Sequence, residues 1–129
     1  MSIPKEYQDK DVLRYVSLVG TGCRLILWYI GDVAGRPKLG YAFFPAKSRK
    51  PLFEGRDYST GFSTSVDSDE ALRGLMGFLT LRPGDTDAEY FDNYTPAQMA
   101  WAQANGEYMS EWGSDDPEAK RYCKFKNLA

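Results

Sequence analysis

Asp11-Val12-Leu13-Arg14-Tyr15-Val16-Ser17-Leu18-Val19-Gly20-Thr21-Gly22-Cys23-Arg24-Leu25-Ile26-Leu27-Trp28-Tyr29-Ile30 decides the fold. Two runs of aliphatic, β-branched and aromatic residues flank a glycine pair. Glycine reaches positive φ without steric penalty, so the stretch predicts two strands, Val12–Val19 and Cys23–Ile30, joined by a tight reversal. The second run is apolar at every position after Arg24. Leu25, Leu27 and Tyr29 point to one side of such a strand and Ile26, Trp28 and Ile30 to the other, so both faces of the sheet need cover.

Downstream, Gly31-Asp32-Val33-Ala34-Gly35-Arg36-Pro37 predicts a longer hairpin into a third strand over Lys38–Phe44. Pro45 ends it, because proline donates nothing to a ladder. A basic loop, Lys47-Ser48-Arg49-Lys50, leads to a fourth strand near Leu52–Tyr58 that Gly55 interrupts. After the polar linker at 59–66 the apolar period changes. Asp67-Ser68-Asp69-Glu70 places an N-cap acceptor at Asp67, three residues ahead of a glutamate, and Leu72, Leu75, Met76 and Leu79 follow at helical spacing. A helix over Asp69–Thr80 is expected to lay that stripe on the sheet. Thr86-Asp87-Ala88-Glu89 predicts a short turn to Phe91. Thr95-Pro96-Ala97-Gln98 opens a long helix carrying Trp101, Ala104, Tyr108 and Trp112, with Gly113 as its C-terminal cap. Asp116-Pro117 starts a last short helix to Arg121, and 122–129 is expected to form a basic, partly frayed tail.

The expectation is therefore one α+β domain over 1–129. Its antiparallel β-meander of about four strands (12–58) precedes two to four helices (69–121) packed on one sheet face. A chain of 129 residues with 43% hydrophobic content suits a single core. No run approaches the roughly 18 apolar residues of a membrane span, and residues 1–10 are polar rather than signal-like, so a cytoplasmic protein without a membrane is expected. Cys23 and Cys123 lie too far apart in sequence to suggest a metal cluster.

Histidine is absent. That removes the commonest general base near neutral pH, the usual nucleophile pairs and every imidazole ligand. No catalytic residue, metal site or cofactor is expected. A metal enzyme would have to gather carboxylates, and Asp85, Asp87, Glu89 and Asp92 are the group to consider, with Asp67, Asp69 and Glu70 second. Both groups also suit helix starts, where carboxylates complement the backbone dipole. Cys23 beside Arg24 is expected to be a small buried hydrophobe rather than a reactive thiol.

Net charge is −2, but it is unevenly spread: +4 over residues 1–66, −9 over 67–116 and +3 over 117–129. Aromatic residues make up 15% of the chain. Together with the two-faced second strand, this points to a non-catalytic protein–protein interaction module, its partner another protein or a second copy in a homodimer. The expected contact residues are Trp28, Tyr41, Trp101, Tyr108 and Trp112, with Asp85, Asp87, Glu89 and Asp92 on the acidic side. One alternative is a small inhibitor whose acidic helical face imitates nucleic acid on a nucleic-acid-handling enzyme. Another is the carboxylate-metal enzyme. Direct nucleic-acid binding would use Lys47, Arg49 and Lys50 with Lys120, Arg121, Lys124 and Lys126. A pI near 5.1 disfavours that use. The sheet face away from the helices is expected to be covered by the N-terminal arm, the C-terminal tail or another chain.

Overall fold

The computed structural model describes residues 3–60, 64–79, 95–101, 104 and 124–128. The chain divides into two compact units, Met1–Leu72 with Lys124–Ala129, and Arg73–Cys123. The first holds a five-stranded antiparallel sheet: β1 (Asp11–Leu18), β2 (Arg24–Val33), β3 (Arg36–Phe44), β4 (Phe53–Ser59) and β5 (Phe125–Asn127), in the order β4-β3-β2-β1-β5. The meander expected from the sequence is present, with each strand end within three residues of its predicted place.

Residues paired directly across neighbouring strands share a face, so the register sorts the side chains. Leu25, Leu27 and Tyr29 of β2 oppose Phe43, Tyr41 and Leu39 of β3, and Val16 opposes Leu25. This face is aliphatic: Val16, Leu18, Leu25, Leu27, Leu39 and Phe43 are fully buried. Ile26 and Trp28 oppose Ala42 and Gly40, with Tyr15 beside Ile26. That second, aromatic face gathers Tyr15, Ile26, Trp28, Ala42 and Phe44 into one cluster.

The aromatic face is covered by the N-terminal arm. A 3-10 turn at Lys5–Tyr7 begins behind Pro4, whose carbonyl accepts from the Tyr7 N–H at 2.9 Å. The Tyr7 side chain drops into the cluster, its ring centroid 5.4 Å from Trp28 and 6.0 Å from Phe44. Ile3 and Leu128 add apolar contact at its margin.

Both faces use glycine as a seat for a large ring. A Cβ built on Gly40 would lie 2.1 Å from the Trp28 indole, and one on Gly55 would lie 2.5 Å from the Tyr41 hydroxyl. Gly55 thus does not weaken β4 as an interruption; it leaves room for Tyr41 from the neighbouring strand, the cross-strand pairing of an aromatic ring with a glycine.

Three local expectations are corrected. The β2–β3 connection is a two-residue turn, not a long loop, because Ala34 (φ 54°) and Gly35 (φ 79°) both take the left-handed conformation that a twisted hairpin needs. The tail is not frayed at 125–127. It forms β5 and pairs with Val16–Leu18 of β1. The helix α1 (Asp69–Leu79) is capped by Ser68 rather than Asp67: the Ser68 hydroxyl accepts from the Ala71 N–H at 3.2 Å and its carbonyl from Leu72 at 3.3 Å.

Among the described residues there are fewer helices than expected: one full α-helix, one 3-10 turn and helical residues at 96–101 and 104, so the described part holds more sheet than helix. Leu72, Leu75, Met76 and Leu79 are buried, as a helical stripe predicts. In the second unit the Thr95 capping box forms: the Gln98 N–H donates to Thr95 Oγ1 at 3.2 Å and the Thr95 N–H to Gln98 Oε1 at 2.9 Å. The predicted turn at 86–91 and helix at 117–121 lie outside the described residues. No helix among the described residues is long and apolar enough to cross a membrane.

Candidate functional site

Where the arm crosses the aromatic face, it stands opposite the 45–52 loop, and a cleft of about 440 Å³ opens between them. Glu6, Tyr7 and Lys10 form the arm side, Arg49, Lys50 and Pro51 the loop side. Phe44 and Glu54 lie between. The volume falls in the range of small-ligand and short-peptide sites.

Both walls are fixed from beneath. On the arm side the Tyr7 hydroxyl donates to Glu54 Oε2 at 2.5 Å, a charge-assisted bond joining residues 47 apart in sequence. Burial, the Glu54 hydrogen bond and the charges of Glu54 and Glu6 push the Tyr7 hydroxyl well above the usual tyrosine range, so it stays a donor. The Lys10 ammonium sits 5.0 Å over the Trp28 ring, a cation–π contact.

On the loop side the Arg24 guanidinium stacks 5.1 Å from the Phe44 ring and donates to the Ser48 carbonyl. The Ser48 hydroxyl donates to the Lys50 carbonyl at 2.8 Å and accepts from the Lys50 N–H at 3.2 Å. Ser48 N–H donates to Pro45 O at 3.2 Å, and Leu52 N–H to Phe43 O at 2.8 Å. Lys47 takes φ 63° inside this tight loop. Arg49 and Lys50 are exposed on the resulting hydrogen-bonded turn.

A second cleft of about 630 Å³ lies along β1, with Ile3, Leu13, Arg14 and Asp69 in its wall. Its charges are already used. Arg14 donates to the Asp67 carbonyl at 2.7 Å and to Asp69 Oδ1 at 3.0 Å, holding the start of α1. Asp67 also accepts from the Ser65 hydroxyl at 2.8 Å. The acids read from the sequence as a second metal candidate thus have partners inside the fold. Among the described residues no three His, Cys, Asp or Glu side chains gather as a metal site.

The expected contact residues fall in different places. Trp28 is only 4% exposed, inside the aromatic cluster and on Gly40, which leaves a partner almost none of its surface. Tyr41 is half-buried over Gly55, and burial with the nearby Asp57 charge raises its hydroxyl pKa. Trp101 is half-buried in the second unit. Tyr108, Trp112, Asp85, Asp87, Glu89, Asp92, Lys120 and Arg121 lie outside the described residues. Of the basic residues, Arg49 and Lys50 line the cleft, while the exposed Lys47 of the same loop is not in its lining. Lys126 is on β5, separated from β3 by β1 and β2, and Lys124 precedes it. Among the described residues the loop and tail cations therefore do not form one stripe. Cys23 is buried, in keeping with a structural thiol.

Sequence patterns missed Glu6, Tyr7, Lys10 and Glu54. The one available signal was the combination of a polar N-terminal segment containing a tyrosine with a sheet face in need of cover. No family model, curated protein or solved structure matches this chain.

Proposed function

We propose that this protein acts by binding another protein, without catalysis, and that the cleft between the N-terminal arm and the 45–52 loop is its contact site. One observation carries the reading. Charged groups of both signs line a concave surface, and the bonds that hold its walls leave Arg49 and Lys50 without an ion-pair partner among the described residues. Preorganisation of this kind reduces the ordering that binding would otherwise demand. A mixed-charge rim suits protein recognition, where charge complementarity sets partner choice and association rate. The absence of histidine from the sequence supports a binding role, since the residues at the cleft offer no nucleophile beside a neutral base.

A benzophenone amino acid placed at position 51 tests this. Irradiation in the native host is expected to join the protein to a discrete partner, and the purified partner to bind the purified protein. A benzophenone at Val33, which is 58% exposed at the end of β2, is expected to give no such product. Equal products from both positions, or none from position 51, would end the reading. Sedimentation velocity distinguishes the homodimer form: if the partner is a second copy, the dimer should dissociate in Lys50→Glu.

A further inference from the structure

We propose that the segment received by this cleft is an acidic stretch of polypeptide, its carboxylates reaching Lys10, Arg49 and Lys50. The inference rests on the protein-binding reading above and names the partner's chemistry.

The cations of the first unit are not all alike. Arg14 pairs with Asp69 at 3.0 Å and Lys38 with Asp57 at 3.1 Å, while Arg24 is spent on the Ser48 carbonyl and the Phe44 ring. Arg49 and Lys50 have no such partner among the described residues, and Lys10 has only the face of Trp28. Arg49 and Lys50 are adjacent like charges lining one cleft, so a bound carboxylate relieves their repulsion and gains a charge-assisted bond. Lys10 adds a third positive group across the cleft.

A nucleic-acid strand fits the site less well. Single-strand binding sites combine a positive groove with open aromatic faces on which bases stack. The rings of Tyr7, Trp28 and Phe44 are 5%, 4% and 2% exposed, so none offers a face. Glu6 and Glu54 also line the cleft, where they oppose a continuous row of phosphates. A peptide can place carboxylates at the cations and turn backbone N–H groups toward Glu6 and Glu54, which a phosphodiester chain cannot do.

The test is fluorescence anisotropy with a short labelled peptide of alternating Glu and Asp, at an ionic strength of about 0.05 M, where exposed charges interact over more than about 10 Å. Saturable binding is expected, falling at least ~10-fold in Arg49→Glu and in Lys50→Glu and weakening as salt is raised. Lys47→Glu makes the same change in net charge on the same loop, away from the cleft, and should shift affinity less than ~2-fold. Circular dichroism checks that each variant is folded.

Three results would overturn the inference: no saturable binding, equal losses in Lys47→Glu and Lys50→Glu, or tighter binding of an oligothymidylate of equal charge. The crosslinking experiment separates the two levels. A partner captured from position 51 through a segment without acidic residues leaves the protein-binding reading standing and removes this one. No crosslink together with no peptide binding removes both.

Discussion

The two faces of the sheet are closed in opposite ways. The aliphatic face buries Val16, Leu18, Leu25, Leu27, Leu39 and Phe43 completely, with no polar atom in any of those side chains. The aromatic face is closed by one short arm through one inserted residue, Tyr7, whose ring packs inward and whose hydroxyl reaches Glu54 at the cleft. Burial on the first face is spread over many equivalent groups and touches nothing a ligand would meet. On the second, the residue that closes the face also shapes the cleft. Stability and binding should therefore separate on the aliphatic face and move together on the aromatic one.

Leu27→Ala is the strongest challenge to that separation. Removing a fully buried leucine side chain from a packed core costs about 4 kcal/mol, from lost transfer energy and the cavity left behind. Urea unfolding should show that loss while the folded variant binds acidic peptide as the parent does. A change in affinity of the same size would mean that the faces are not independent. Gly40→Ala comes next, on the aromatic face. The added methyl would overlap the Trp28 ring at 2.1 Å, and a ring packed among Tyr7 and Ile26 has little room to withdraw. Overpacking of this kind costs about 3 kcal/mol. The displaced indole carries Lys10 with it, so peptide binding should weaken as well.

How far the two faces could be read from sequence follows from the same contrast. The aliphatic face comes from every second residue of β2 and β3, which lie in apolar runs bounded by glycine and proline breaks, and the meander was legible to within a few residues. The arm has no period. Lys5-Glu6-Tyr7-Gln8 is a polar stretch with one aromatic residue, and nothing local says that Tyr7 will cross to a sheet formed later in the chain. β5 escaped for a related reason: three residues are too few to show alternation, and Phe125 sits among lysines. Ser68 and Asp67 are both good caps, so composition could not choose between them. Geometry did, once Arg14 bonded the Asp67 carbonyl. At the site, Arg49 and Lys50 were visible as a basic loop, but their placement opposite Lys10 depends on pairing across the sheet.

Two tyrosine hydroxyls offer a finer comparison. Tyr7 bonds Glu54 on the aromatic face. Tyr58, whose strand partner Leu39 belongs to the aliphatic face, donates to the Ala71 carbonyl at 3.0 Å and so ties down the start of α1. Burial raises the Tyr58 pKa to about 12, and burial with the Glu54 bond raises that of Tyr7. Both folded-state values exceed the value near 10 of an unfolded tyrosine, so above pH 10 the unfolded chain releases these protons first. Stability should be intact below pH 10 and fall as pH rises toward 12. Tyr7→Phe and Tyr58→Phe should each flatten that fall and each lower stability at pH 7, Tyr7→Phe by about 2 kcal/mol for a bond to a carboxylate and Tyr58→Phe by about 1 kcal/mol for one to a carbonyl. Only Tyr7→Phe should also alter peptide binding, because it frees the Glu54 carboxylate at the cleft. An identical effect of both variants on binding would break the distinction between the faces.

The smallest expected effect lies outside both faces. At the β2–β3 turn Ala34 holds φ 54°, where a Cβ crowds the following carbonyl and an L-residue loses about 1 kcal/mol. Asparagine tolerates this conformation, and Asn before Gly is the preferred pair for a turn with positive φ at both central residues. Ala34→Asn should therefore stabilise the protein by roughly 0.5 kcal/mol and raise Tm by a few degrees, read by thermal unfolding. Gly35→Ala, which places a second Cβ at φ 79°, should move stability in the opposite direction by about 1 kcal/mol. Neither change meets the cleft or either buried cluster, so both should leave acidic-peptide affinity unchanged. They supply the baseline against which coupling on the aromatic face is measured: if Ala34→Asn alters binding as much as Tyr7→Phe does, the arm has no special link to the site.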